Sequence, residues 1–398
     1  MSCLSIVIGS VIGSGIFIVP SLMIKILPSP ELLLLVWVFS AAISITGGLV
    51  VAGMGLAYPN AKDLIDYFRS LYPRWLHWSF SQIFIWIISC CGTVAVTFVF
   101  AEYLGYFIQM DQTQTKIAAI ILTLLLGTLG ITNTKAADRF QVVFTGAKVG
   151  ALFLIIALLI LPGKGNLENF EMSHTENWST FQLIAAFVAA CTGALSALDG
   201  WYIIGHITPE VKGGIYTVKK AIIWGLLLCT SLYLLTAFAY QYVLTPEEIG
   251  ASHLVAVRAL EKELGGVAPK VIAVLVLISS SSCVNANLIA TSRLIASAAE
   301  QKTIPSYFAK RSSANIPVQA FILMLIVECI MIVSGSYELF LNLTIHAVWT
   351  FITLLTAGFL YVYLKNNLQL PGYKRIPLVI ACSTLILFGI VFLISAFI

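Results

Sequence analysis

Apolar residues along this chain gather into long runs with at most an isolated charge, each near the length that a helix needs to cross a membrane. Spanning a hydrocarbon core of about 30 Å takes roughly 20 mostly apolar residues in a helix. Eleven such runs occur, near 4–27, 32–57, 79–108, 117–132, 141–162, 182–205, 221–243, 271–298, 317–335, 340–364 and 376–398; they are numbered here spans 1 to 11. Transmembrane strands are about half as long and alternate in polarity, so these lengths predict helices. The expected fold is an all-α polytopic membrane protein with about eleven transmembrane helices. The longest gaps, near 163–181 and 244–270, are too short to bury a core of their own, so residues 1–398 are expected to form a single membrane domain. Span 1 starts three residues in, without a basic leader or small-residue cleavage site, and is expected to remain in the protein.

Composition agrees with the pattern: 59% of the residues are hydrophobic and 10% are charged, which excludes an ordinary soluble domain. The placement of charge says more than the net +4. With the N-terminus in the cytoplasm, fourteen Lys and Arg fall in inside loops (Lys62, Arg69, Arg74, Lys135, Arg139, Lys212, Lys219, Lys220, Lys302, Lys310, Arg311, Lys365, Lys374 and Arg375), and five fall outside (Lys116, Lys164, Arg258, Lys262 and Lys270). This positive-inside bias selects a cytoplasmic N-terminus and, for eleven helices, an outside C-terminus; the expected location is the cell membrane, plasma or bacterial inner. Membrane topology accounts for the basic residues without a nucleic-acid partner. All eight cysteines lie in hydrophobic runs, away from metal-site spacing, so no disulfide framework, structural metal or cofactor is expected.

Two spans are interrupted, the first and the sixth. Span 1 carries Gly9, Gly13, Ser14, Gly15 and Ile16 in close succession; span 6 carries Gly193-Ala194-Leu195-Ser196 and then Asp199-Gly200-Trp201. Glycine inside a helix costs roughly 1 kcal/mol relative to alanine, so such clusters at mid-membrane depth need a reason. Close packing through Gly9-xxx-Gly13 is one reading. The other is deliberate breakage: helices broken at corresponding places in two halves point to an inverted repeat with a binding site at the midplane. Spans 1–5 (1–162) would form one repeat and spans 6–10 (182–365) the other, with span 11 (376–398) outside both. A break frees N–H groups on one half-helix and C=O groups on the other, tolerated in lipid only where they line a cavity. Freed amides near Gly13, Ser14 and Gly15 suit a carboxylate, and freed carbonyls in span 6 suit an ammonium group. The pair describes a receptor for the backbone of a free amino acid.

The same residues resemble a known family. Gly13-Ser14-Gly15-Ile16-Phe17 with Pro20 is similar to the first-helix signature of amino acid permeases in the amino acid, polyamine and organocation transporter superfamily. Collinear likenesses follow at Phe100–Leu104, Gly130–Asn133, Gln141–Thr145 with Ala147-Lys148, Gly200-Trp201 with Thr208–Lys212, Cys283–Asn287 with Thr291–Leu294, and Ile304-Pro305 with Ile316-Pro317. The resemblance is closest to the L-type amino acid transporters and their bacterial relatives. It implies a secondary transporter, permease or exchanger, in which span 1 amides hold the substrate carboxylate and span 6 carbonyls hold its amino group. The implied substrate-contacting residues are Gly13, Ser14, Gly15, Ile16, Ala194, Leu195, Ser196, Asp199 and Trp349. Lys148 is implied as the coupling cation, near Ser281 and Ser282. Animal L-type members bind a glycoprotein partner through a cysteine after span 3; residues 109–116 contain none, so no such disulfide-linked partner is expected. The family's gating aromatic falls at Ser196 and its common glycine at Asp199.

Ionisable side chains inside a bilayer are costly and so are candidates for function. Glu102, Lys148, Asp199 and Glu328 qualify. Lys148 either exchanges a proton during transport or bridges helices as a fixed cation. Asp199 faces substrate, faces a proton path or caps backbone N–H groups. Glu102 can snorkel at the interface, and no role follows for Glu328. Trp349 lines the pocket or packs, and His346 is a hydrogen-bonded helix residue. Enzyme signatures such as HExxH, GxSxG and Walker A are missing from the sequence, and no filter-like loop suggests a channel. The expected cargo is neutral amino acids, with proton or exchange coupling. A cationic amino acid or polyamine exchanger, and a sensor that binds amino acids without moving them, are the alternatives.

Overall fold

A computed structural model describes residues 3–13, 15–61, 64–132, 148–173, 175, 177–203, 214–312 and 315–395. Every regular element among them is helical. Span 1 is two short helices, α1 (Cys3–Val11) and α2 (Val19–Ile26), and span 2 is α3 (Pro30–Ala57). A short α4 (Leu64–Leu71) precedes α5 (Arg74–Gly105), whose middle, Ile83–Cys90, is wound as a π-helix. Spans 4, 5 and 6 become α6 (Gln112–Thr132), α7 (Lys148–Ile160) and α8 (Thr180–Ala197). Span 7 is α9 (Gly214–Val243), followed by the short α10 (Pro246–Ala251) and α11 (Val255–Glu263). The last four spans are α12 (Ala268–Glu300), α13 (Val318–Ser334), α14 (Tyr337–Lys365) and α15 (Arg375–Ser395).

Eight of these helices are long and apolar enough to cross a membrane: α3, α5, α6, α8, α9, α12, α14 and α15. The other three expected spans hold shorter apolar helices, namely α1 with α2, α7 and α13. The chain is thus an all-helical polytopic membrane protein. Local chemistry sets the helix starts. Prolines 30, 246 and 269 stand in the first turn, where the missing N–H would have no helical partner. Ser179 with Gln182 and Thr245 with Glu248 form reciprocal capping boxes.

Several boundaries differ from expectation, among them the starts of α9, α5 and α6, the last at Gln112 rather than near 117. Helix α9 starts at Gly214 rather than near 221, because its two lysines need not end it. The Lys219 ammonium lies 3.3 Å above the Tyr373 ring and donates to the Gly372 carbonyl at 2.5 Å, so the cation keeps polar company while its stem continues the helix. Helix α5 starts at Arg74 rather than near 79; there the Trp78 indole N–H donates to the Thr303 carbonyl at 3.0 Å. The short α4, α10 and α11 escaped a search tuned to membrane-length runs.

Polar connections gather at two ends of the bundle. At one end Asn60, Asp66, Arg69, Glu300 and Gln301 line a cavity of about 530 Å³. At the other, Glu102, Tyr106, His253, Arg258 and Glu261 line one of about 400 Å³. Between them the outward surface is apolar, with Ile121, Leu125, Ile330, Val333, Ile376 and Leu387 all exposed. In water such a surface would aggregate; in a bilayer it is the solvated face.

Close packing in the middle depends on small residues of α3. A Cβ on Gly47 would overlap the Trp201 ring, and one on Gly48 would stand 2.8 Å from Ile222 of α9. The indole therefore lies directly against the α3 backbone. Replacing Gly47 by alanine overpacks this contact and should lower stability by about 1–3 kcal/mol. A lower melting temperature of the detergent-purified Gly47→Ala protein, partly restored by Trp201→Phe, is expected; a Gly47→Ala protein that melts like the original would contradict the contact.

Candidate functional site

The two interruptions expected from the glycine clusters are present, and they touch. Helix α1 closes with the Ile12 N–H donating to Ile8 at 2.9 Å, and a 3₁₀ turn, Gly15–Phe17, precedes α2. The chain can restart there because Pro20 occupies the first turn of α2. Helix α8 stops at Ala197, and the chain turns through Gly200 into a 3₁₀ turn, Trp201–Ile203. Gly200 has φ +94°, a conformation that other residues rarely adopt. Its α-carbon approaches so closely that an added Cβ would be 2.8 Å from the Ser10 carbonyl oxygen. In the reverse sense, a Cβ on Gly15 would be 3.1 Å from the Ala197 α-carbon. Each broken segment sits in a notch of the other.

Two tyrosines satisfy the freed backbone. The Tyr233 hydroxyl, from α9, accepts from the Gly13 N–H at 3.3 Å and donates to the Val11 carbonyl at 3.1 Å, bridging both edges of the break. Its ring is fully buried, edge-on to Trp37 at 5.5 Å. The Tyr103 hydroxyl, from α5, donates to the Phe17 carbonyl at 3.2 Å. Sequence reasoning assigned neither residue. A tyrosine inside an apolar run is itself a signal, since a buried hydroxyl needs a partner, but the partner is invisible until α9 and α5 pack against span 1.

The remaining candidates divide. Gly13 already spends its amide on Tyr233, while Gly15 and Ile16 open the 3₁₀ turn, with Ile16 fully buried. Ser14 lies outside the described residues, as do the likenesses at Gln141–Ala147 and Thr208–Lys212. Ala194 and Leu195 are buried at the end of α8, and the Ser196 hydroxyl donates to the Gly193 carbonyl at 2.7 Å. Asp199 is half-buried and accepts from the Tyr202 hydroxyl at 3.2 Å, with Gly200 also bonding it through the backbone, so its observed partners are local. Trp349 stands edge-on to Phe388 at 5.0 Å and against Phe392 at 6.0 Å, both on α15. Those ring contacts pack it between α14 and α15. His346 stacks on the same Phe392.

Lys148 is buried at the first turn of α7 and donates to the Cys283 sulfur at 2.9 Å. That is one residue beyond the expected neighbours: Ser281 donates to its own helix at Leu277, and Ser282 is buried beside it. Glu102 lines the cavity shared with His253, Arg258 and Glu261, at a helix end as interface snorkelling requires.

A family model described as "Amino acid permease" matches residues 1–398. The chain is 26% identical over 412 residues to "Amino acid transporter protein 6" of Caenorhabditis elegans, covering 98% of this chain and 77% of that protein. It is 27% identical over 372 residues to the human "Cystine/glutamate transporter", covering 91% and 72%. To the human "Large neutral amino acids transporter small subunit 2" it is 27% identical over 352 residues, covering 86% and 65%.

The notch at Gly15 gives a direct test. Valine there would press a branched side chain into Ala197 and separate the two broken segments. Amino acid binding should fall sharply in a Gly15→Val protein that still inserts and folds, read as the loss of thermal stabilisation across a panel of free amino acids. Unchanged stabilisation would remove the crossing from the binding site.

Proposed function

Because the chain belongs to the amino acid permease family, we propose that it moves free L-amino acids across the membrane by alternating access. Neutral amino acids are the proposed cargo, with coupling to protons or to exchange. The observation that carries this reading is the interlocked pair of breaks, where Gly15 packs against Ala197 and Gly200 against the Ser10 carbonyl. The carboxylate is taken by amides of the Gly13–Ile16 stretch, in competition with the Tyr233 hydroxyl at Gly13. The amino group is taken by carbonyls around Ala194–Ser196. With Ile16, Ala194 and Leu195 buried and cavities at both ends, the described arrangement is consistent with a closed midpoint between two aqueous approaches.

Several finer assignments belong to the same reading. Spans 1–5 and 6–10 are the two inverted repeats, with span 11 outside them, and the chain crosses eleven times from a cytoplasmic N-terminus in the cell membrane. The loops that charge places on each side also meet in space, as in the 3.0 Å Arg311–Glu300 pair and the Lys116 bond to Val333. The absence of cysteine from 109–116 favours a chain without a disulfide-linked glycoprotein partner. Lys148, hydrogen-bonded to the Cys283 sulfur, is the proposed coupling cation.

Uptake of labelled amino acids by proteoliposomes, with and without internal amino acid, tests the function. Binding without movement would instead mark a sensor. If Lys148 exchanges a proton, Lys148→Met should lose the pH dependence of uptake while retaining some exchange. A wild-type pH profile in the Met variant would leave Lys148 as a fixed structural cation.

The half-buried carboxylate of Asp199 beside the crossing supports a second cargo, cationic amino acids or polyamines. A charge 4 Å away at an effective dielectric of about 20 gains roughly 4 kcal/mol before desolvation, and a net gain of about 1.4 kcal/mol is tenfold in affinity. Against it, Tyr202 and Gly200 already engage the carboxylate. Competition by arginine or lysine against a neutral amino acid should weaken in Asp199→Asn if this charge selects cargo; equal competition in both proteins would restrict Asp199 to holding the turn.

A further inference from the structure

Helix α13 turns Ile326, Ile330 and Val333 outward and buries the opposite stripe, Phe321, Met324, Leu325, Glu328 and Ile332. A carboxyl group thus occupies a core position near the middle of an apolar helix, with none of its surface exposed. Neither of its oxygens has a hydrogen-bond partner among the described residues.

The side chains that face it come from α5: Cys90 at the end of the π-wound stretch, Cys91 beside it, and Thr93. Cys329 is its neighbour on α13. From α6 the charged group is Lys116, which is engaged at the far end of α13 with the Val333 carbonyl. On α12, Arg293 is exposed and Glu300 is paired with Arg311, and on the turn Ser306–Ala309 the Tyr307 ring is exposed. No described basic group therefore neutralises Glu328 in an ion pair.

Thr93 brings an acceptor rather than a donor to this side of the bundle. Its hydroxyl donates its hydrogen to the Ser89 carbonyl at 2.9 Å, so what remains to face Glu328 is a lone pair. A lone pair repels a carboxylate and accepts from the O–H of a carboxylic acid. The same surroundings, apolar and without a cation, penalise the anion. The acceptor is carried next to the π-wound stretch, where Ser89 and Cys91 bond back to Phe84 and Trp86, five residues before them. Such a stretch holds one extra residue per turn and can return to ordinary α winding, which would rotate Thr93 and Cys90 past Glu328.

We propose that Glu328 is a proton-binding site of the transport cycle, holding its proton away from water in the conformation described and releasing it when α5 rewinds. In that step the O–H bond of the acid breaks, the electron pair stays on the carboxylate, and the proton passes to water admitted between α5 and α13. The proposal rests on the proton-coupled reading of this transporter but not on Lys148.

Two measurements test it. Infrared difference spectra of the purified protein should contain a carboxylic-acid C=O band that disappears in Glu328→Gln and shifts in Thr93→Val; a spectrum unchanged by Glu328→Gln would overturn the protonated assignment. In proteoliposomes assayed with a mixture of labelled neutral amino acids, wild-type uptake should vary with external pH by up to about tenfold per unit, the slope of a one-proton step. Glu328→Gln, which keeps the shape of the acid, should flatten that dependence and retain exchange at equal pH, and Glu328→Asp should keep part of it. A wild-type profile in Glu328→Gln overturns a role in the cycle. If Lys148→Met alone flattens the profile, the Lys148 reading stands and this one falls; if Glu328→Gln alone does so, the reverse holds. Uptake independent of pH in the unaltered protein overturns both.

Discussion

A backbone amide or carbonyl without a partner in hydrocarbon is too costly to leave unmade, and that constraint organises this molecule. It makes every crossing a helix and confines irregular backbone to places where other protein groups can reach it. The break in span 1 persists because the bundle supplies what the helix gives up: Tyr233 bridges Val11 and Gly13, and Tyr103 takes Phe17. The crossing of the two segments is itself part of the remedy, since each keeps lipid from the other's open backbone. The site proposed for a zwitterion would draw on the groups that no side chain of the bundle has taken.

Much of this was legible in the residues, and the reason is the bilayer. Run length alone located the eight membrane-length helices and the shorter apolar helices in the other three expected spans, because crossing a fixed thickness demands a fixed number of apolar residues. The breaks were legible because glycine clusters are expensive in mid-helix. Side-chain destinations were less so. Trp349 suited packing more than a pocket, and its contact with Phe388 and Phe392 depends on where α15 lies. Tyr233 is 220 residues from the amide it serves, and nothing local to it foretells that distance. The π-wound stretch of α5, Ile83–Cys90, is an uninterrupted apolar run with no proline or glycine to mark it. Short amphipathic helices such as α11 were missed for the opposite reason, since their polarity resembled loop.

Charge inside the bundle follows a related rule, with different solutions at different depths. Lys219 meets an aromatic face and a carbonyl near a helix end. Lys148 is deeper and has a thiol. Asp199 keeps a tyrosine and a glycine amide close by. The family is shared with proteins named for cystine and glutamate and for large neutral amino acids, so a common scaffold accommodates different cargo. In this chain the small Ser196 and the acidic Asp199 lie at the end of α8, on the part of that scaffold nearest the crossing.

The mutual notching of Gly15 with Ala197 and of Gly200 with Ser10 has a consequence for how the sequence can change over time. At each contact there is room for a hydrogen and little more, and the nearest atoms opposite are backbone, so no smaller side chain on the other segment can make the room. A lineage can alter the lipid-facing sides of these helices, yet a side chain gained at Gly15 or Gly200 would jam the pair.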